Sequence, residues 1–210
     1  MSRATDLSYQ HPQTGEWAHH IKDPHGEALH CFVNPALEVR LPSERDSLRI
    51  LEIGFGRGAN TAAALEKLRE INYAGQVSGM GLEPNPAFLE PWPQKPPDWG
   101  EWPWWNSLET PWTCQGRLWS GFVKKAKAPA ALPAEPWADW VFLDLFSPNK
   151  HPQDWPDGLI RALSKASRPG AVLTSYCCAR TLRNRLREAG WQVERLTGDF
   201  RRDHLRARMP

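Results

Sequence analysis

The feature that most constrains this chain is the stretch "LRILEIGFGRGANTAAAL", Leu48 to Leu65. The apolar run "LRILEI" reads as a buried strand. Gly54, Gly56 and Gly58 follow at alternate positions, and "ANTAAALEKLRE" then holds strong helix formers throughout. Glycines after a strand let the backbone turn sharply and approach a ligand with no Cβ in the way. The helix start offers unpaired N–H groups to an anionic group, with Asn60 or Thr61 as its capping residue.

Spacing narrows the ligand. A dinucleotide loop reads GxGxxG, whereas this one reads GxGxG with Glu52 two residues before the first glycine. An acid there sits badly beside a pyrophosphate. It suits a cationic centre, such as the amino group or sulfonium of S-adenosylmethionine. "QVSGMGLE" is a second strand ending on Glu83, where a carboxylate would accept hydrogen bonds from two ribose hydroxyls. Glu52, Gly54, Gly56, Gly58 and Glu83 are therefore expected to bind this cofactor. GxGxG alone is a weak signal, and a glycine turn without a ligand is the alternative.

Strands and helices alternate along the rest of the chain. "WVFLDLF", Trp140 to Phe146, is a near-continuous apolar strand carrying Asp144. "DGLIRALSKAS" is a helix, "RPGAVLTSY" a turn and strand, and "ARTLRNRLREAG" a helix with Gly190 at C′. "WQVERL" and "DHLRAR" read as final strands. This alternation predicts a mostly parallel α/β sheet covered on both faces. Residues 1–47 read as a strand-rich extension, with a turn at Gly15 in "PQTGEW" and an apolar run at "ALHCFV". In the proline-rich stretch 91–137 the periodicity fails. It holds Trp92, Trp99, Trp102, Trp104, Trp105, Trp112 and Trp119; "TCQGRLW" is a third strand there, and "KKAKAPAALPAEP" a surface loop.

With 210 residues the chain suits one compact unit. A formal net charge of +2 neither favours nor opposes a nucleic-acid partner. The arginines crowd into 180–208, as a solvated helix face or a phosphate track. Cys31, Cys114, Cys177 and Cys178 show no metal-ligand spacing and read as reduced thiols, mostly buried. His19, His20, His25 and His30 lack the partners of a metal site, so no metal is expected. The N-terminus has no apolar core for a signal peptide, and no window is apolar enough to span a membrane. A cytoplasmic protein, monomeric and without a membrane partner, is expected.

The stretch "DWVFLDLFSPNKHPQDW" resembles the methyltransferase domain of MnmC-type tRNA wobble-uridine enzymes, whose pattern here is FLDGFAP-x-KNP-x-x-W. Phe142, Leu143, Asp144, Phe146, Pro148, Lys150, Pro152 and Trp155 match it. "EIGFGRGAN" is similar to the family's E-x-GFG-T-G-x-N run, which adds Phe55 and Asn60 to the cofactor set, and "RPGAVLTSYCCARTLRNRLREAGWQVERLTG" resembles its next segment. The resemblance implies a Rossmann-like class I S-adenosylmethionine-dependent methyltransferase fold with a seven-stranded sheet. On it residues 48–210 form the methyltransferase domain, interrupted at about 91–137. It implies methylation of the aminomethyl nitrogen of a modified wobble uridine in tRNA, with Asp144 beside the transferred methyl group and the amine.

A primary amine must lose a proton before it attacks a methyl carbon, and a carboxylate at a strand's carboxyl end can orient it and take that proton. Asp144 fits this role or that of an anchor for the cofactor's amino group. Its bland alternative is a cap or turn residue. Phe146 would stack near the base or fill the core, and Lys150 would meet a phosphate or stay solvated. Three departures stand out: Leu145 replaces the family's Gly, Ser147 its Ala, and no acid follows "LWSGFVKK" to meet adenine. Arg201 and Arg202 stand where the family has a basic pair. The tryptophan stretch has few cations and reads as a packed insertion rather than a base-stacking platform. Two rival functions stay open. One is an S-adenosylmethionine enzyme or aminopropyltransferase relative acting on a small amine; the other is an inactive cofactor-binding partner protein.

Overall fold

The computed structural model describes residues 7, 9–41, 43, 47–89, 95–105, 110–197 and 203–210. The chain opens with helices rather than strands. Pro24–Ala28 (α1), a π-helical turn Leu29–Val33 and Asn34–Leu37 (α2) run on from one another. The segment from "ALHCFV" into α2 is helical, and its buried residues Ala28, Cys31, Phe32, Val33 and Ala36 follow a helical and not an alternating spacing. Asp23 caps α1 by accepting the Gly26 N–H at 2.8 Å, and Pro24 takes the first helical position. Among the described residues before β1, strand pairing is limited to one bridge, Gln10 with Trp17, across the turn at Gly15.

Among the described residues, the remaining elements are Ser47–Ile53 (β1), Ala59–Glu70 (α3), Gln76–Leu82 (β2), Pro86–Leu89 (α4), Trp112–Thr113 (β3), Trp119–Lys124 (β4), Ala138–Leu143 (β5), a short 3-10 turn Pro152–Asp154, Leu159–Ala166 (α5), Ser167–Ser175 (β6), Arg180–Glu188 (α6), Gln192–Leu196 (β7) and His204–Arg208 (β8). They build one sheet in the order β3-β4-β2-β1-β5-β6-β8-β7. The five strands from β4 to β6 run parallel, and β3, β8 and their partners pair antiparallel. This is the Rossmann-like class I methyltransferase arrangement, with eight strands among the described residues rather than seven. The additional one is two-residue β3, and "TCQGRLW" is largely the turn between β3 and β4 rather than a strand.

Strand parity divides the core. Leu48 and Ile50 of β1, with Trp140 and Phe142 of β5, face α3 and the N-terminal helices. Leu51, Ile53, Val141 and Leu143 face α5 and α6, where Leu159, Leu163, Leu182 and Leu186 close the second layer. Gly190, at φ 94°, ends α6 as expected. The described part of the tryptophan stretch is packed, in keeping with its few cations. Trp104, Trp105, Trp112 and Trp119 are buried, and Trp102 meets both Trp104 and Trp105 edge-to-face. Trp112 lies where side chains at Gly79 and Gly121 would otherwise stand. Trp92, Arg201 and Arg202 lie outside the described residues.

Candidate active site

The site grows from strand parity. Residue 52 shares a face with 48 and 50, and residue 144 shares one with 140 and 142, so both acids point toward α3. There they meet Asn60. Its Nδ2 donates to Glu52 Oε1 at 3.0 Å and to Asp144 Oδ2 at 2.7 Å. Both amide hydrogens are committed, and a flipped amide would set its oxygen against two carboxyl groups. Glu52 also accepts the Thr61 N–H at 3.2 Å and the Thr61 hydroxyl. The helix is therefore capped by an acid from the preceding strand. Neither Asn60 nor Thr61 is the capping residue, since both lie within the first turn after Gly58.

Gly54 and Gly56 form the floor of a cleft of about 250 Å³ at the carboxyl edge of the sheet. Gly54 has φ 77°, and a Cβ there would lie 2.3 Å from the Asp144 carbonyl oxygen, so only glycine lets the loop pass beneath the end of β5. Glu83, Asp144, Leu145, Phe146 and Tyr176 line the same cleft. Glu83 accepts the Gly56 N–H at 2.8 Å and the Asn85 N–H at 2.7 Å, which places its carboxyl group across the cleft. The other expected cofactor residues lie behind this wall. Phe55 is buried against Gly81 and Trp104, Gly58 turns the chain into α3, and Glu52 and Asn60 are buried beneath the floor. They shape the cleft rather than line it.

Burial decides the protonation of the three acids. It pushes Glu52 up to about 8, Glu83 up to about 7, and Asp144 well above the usual carboxylate range. Mutual repulsion raises Asp144 further, through Glu27, Glu52 and Glu83, while the Asn60 hydrogen bond pulls it back. Such a group gains from a cation in the cleft and is more basic than a solvated aspartate.

The cleft includes a wall that sequence reasoning missed, from the hairpin around the Gln10–Trp17 bridge. His11, Ala18 and His19 line it from the N-terminal hairpin. His11 meets Phe146 edge-on at 5.4 Å and His151 at 4.3 Å between ring centroids, and Phe146 lies 4.8 Å from His151. Phe146 is thus both a packing residue and a cleft-lining one. Burial lowers His19 to about 4, so it is neutral. Leu145 lines the cleft and its Cδ2 lies near Gly54, where the resembling family's glycine would leave space. Lys150 is exposed on the turn after β5 and does not line the cleft. Among the described residues no group of three or more metal-ligating side chains is placed to hold an ion, and no helix is long and apolar enough to cross a membrane. The four cysteines are free; burial raises Cys114 and Cys178 to about 11 and Cys177 in the same direction.

The cleft fits S-adenosylmethionine on its own geometry. Gly56, at φ 54°, leaves only ordinary contacts above its backbone, Glu83 offers a carboxyl group at the end of β2, and the acids suit a cationic group. Comparison with known proteins agrees. A family model described as S-adenosyl-L-methionine-dependent methyltransferase matches residues 113–210, just under half of the chain. The tRNA 5-methylaminomethyl-2-thiouridine biosynthesis bifunctional protein MnmC of Ralstonia nicotianae is 43% identical over 61 residues, 29% of this chain and 9% of that protein. The protein of the same name from Aeromonas hydrophila is 33% identical over 81 residues, 39% of this chain and 12% of its own length. The chain therefore matches only a small part of these bifunctional relatives. The crystal structure of MnmC2 from Aquifex aeolicus superposes with a TM-score of 0.80 at 26% identity, covering 95% of this chain and 66% of that one.

Proposed function

We propose that this chain, similar in sequence and fold to the methyltransferase part of MnmC-type proteins, methylates the aminomethyl nitrogen of a modified wobble uridine in tRNA, giving the methylaminomethyl form. The observation that carries the reading is the position of Asp144. It lines the cleft at the end of β5, is made basic by burial, and is held at one oxygen by Asn60.

S-adenosylmethionine, when bound, supplies a methyl group activated on a cationic sulfur. Gly54 and Gly56 would lie under it, and Glu83 would accept hydrogen bonds from its ribose hydroxyls. Asp144 would receive the ammonium of the substrate through its unengaged Oδ1 and take one proton, leaving a neutral amine lone pair directed into the cleft. A burial-raised carboxylate is better matched to that transfer than a solvated one. Phe146 and His11, packed together, would offer one wall to the base, and exposed Lys150 would meet a phosphate from outside the cleft. The setting that fits a tRNA substrate is cytoplasmic. Leu145 favours a second reading, a small-molecule amine as acceptor, because it takes up space beside Gly54.

The test is methyl transfer from labelled S-adenosylmethionine to tRNA from cells that lack this methylation step, followed by nucleoside analysis. Label on the wobble aminomethyluridine supports the reading. Tight cofactor binding without label on that pool would move the assignment to small amines or to an inactive binder.

A further inference from the structure

The loop after β5 is held from two sides. From beneath, Trp155 Nε1 donates to the Phe146 carbonyl at 2.8 Å, and the Tyr176 hydroxyl donates to the Leu145 carbonyl at 2.8 Å. From above, one side chain reaches it from the N-terminal hairpin. Glu16 Oε1 accepts the Ser147 N–H at 2.9 Å, and Glu16 Oε2 accepts the Ser147 hydroxyl at 3.0 Å. Oε1 also lies 3.4 Å from the Tyr176 hydroxyl, and Oε2 lies 3.6 Å from His151 Nε2. His151 in turn meets the Thr14 hydroxyl at 2.9 Å, a second tie from the same hairpin. The Glu16 side chain is only 14% exposed, so these bonds form largely away from water.

These contacts bring together parts of the chain that are 131 residues apart. The hairpin carries His11 and the loop carries Phe146, and the two rings pack edge to face on the lining of the cleft. The serine hydroxyl is one of the departures from the resembling family pattern, which has Ala there, and here it supplies half of the bidentate contact.

We propose that Glu16 is a positioning residue for the acceptor substrate: it clamps the N-terminal hairpin onto Ser147, and so holds His11 against Phe146 as the one wall of the cleft on which the acceptor base rests. Glu16 itself touches neither Gly54, Gly56 nor Glu83; its own contacts go to Ser147, His151 and Tyr176. The proposal rests on the tRNA methyl-transfer reading for the identity of that substrate.

The experiment compares wild type with Glu16→Ala, Glu16→Gln and Ser147→Ala. It measures KM and kcat for the tRNA pool, Kd for S-adenosylmethionine, and backbone hydrogen exchange over residues 9–18. Glu16→Ala should raise KM for tRNA by about tenfold or more, the scale of a lost charge-assisted bond, with cofactor Kd nearly unchanged and exchange over 9–18 faster. Glu16→Gln keeps one acceptor for the Ser147 N–H and should recover much of the loss, and Ser147→Ala should cost about threefold or less. Faster exchange with unchanged KM would overturn the substrate role, and unchanged exchange would overturn the clamp. A cofactor Kd weakened in step with KM would make Glu16 a general structural residue. Absence of transfer to tRNA by the wild type, by contrast, would strike the underlying reading and not the clamp, which hydrogen exchange reads on its own.

Discussion

Asn60 Nδ2 stands 2.7 Å from Asp144 Oδ2 while its second hydrogen reaches Glu52 at 3.0 Å. One amide thus links the glycine loop, the first turn of α3 and the acid at the end of β5. Replacing Asn60 with Ala should leave Asp144 free to rotate in the cleft and lower kcat by about 10- to 100-fold, the equivalent of one hydrogen bond to a charged group. Asn60→Asp should be worse than Asn60→Ala, because it sets a third acid against two. Steady-state kinetics on both variants checks the order.

Glu83 tests the cofactor half of the cleft. Its two oxygens accept the Gly56 and Asn85 N–H groups. Glu83→Gln keeps one acceptor and loses the second, so the loop loosens and any ribose contact weakens. Calorimetry should show S-adenosylmethionine binding weakened by about tenfold or more, with the fold retained.

The acids make the ligand-free protein pH-sensitive. Folding raises Glu52 to about 8 and Glu83 to about 7, so between the ordinary carboxylate range and those values the folded state binds more protons than the unfolded one. Stability therefore falls as pH rises through that window. Thermal melting of the ligand-free protein should show Tm decreasing from about pH 5 to about pH 8. Glu52→Gln should flatten the slope, because it removes the group with the higher of these two values.

The tryptophan stretch separates packing from recognition. Trp104 is fully buried, and its Nε1 donates to the Arg57 carbonyl at 3.1 Å. Trp104→Ala should cost about 3–5 kcal/mol of stability, as for other large core aromatics. Denaturant melting reads this directly. The tRNA affinity of the fraction that stays folded should match wild type, since no part of that ring is exposed.

Much of the fold was legible because the strands after Leu48 are either near-continuous apolar runs or are bounded by glycine. Period-two parity also carries information about the site: counting forward from Phe142 and Ile50 puts Asp144 and Glu52 on the α3 side, where Asn60 of the first turn must meet them. Three features were not legible. "ALHCFV" is too short to separate a buried helix from a strand, and the capping pair Asp23–Pro24 was the signal that decides it. The turn inside "TCQGRLW" hides β3 because two residues show no period. Glu16 has no local signature, since its partner Ser147 becomes a neighbour only when the hairpin folds over the cleft. Phe55 matched the motif but serves packing, because Gly81 on β2 leaves a place for its ring.

The most direct test of the account is single-turnover methyl transfer to tRNA bearing the aminomethyl wobble uridine, run with wild type and Asp144→Asn and paired with cofactor Kd for each. The account predicts that Asp144→Asn binds S-adenosylmethionine within about threefold of wild type yet transfers methyl at least about 100-fold more slowly, since the proton acceptor is gone and the shape is kept. Transfer by Asp144→Asn at the wild-type rate would contradict it.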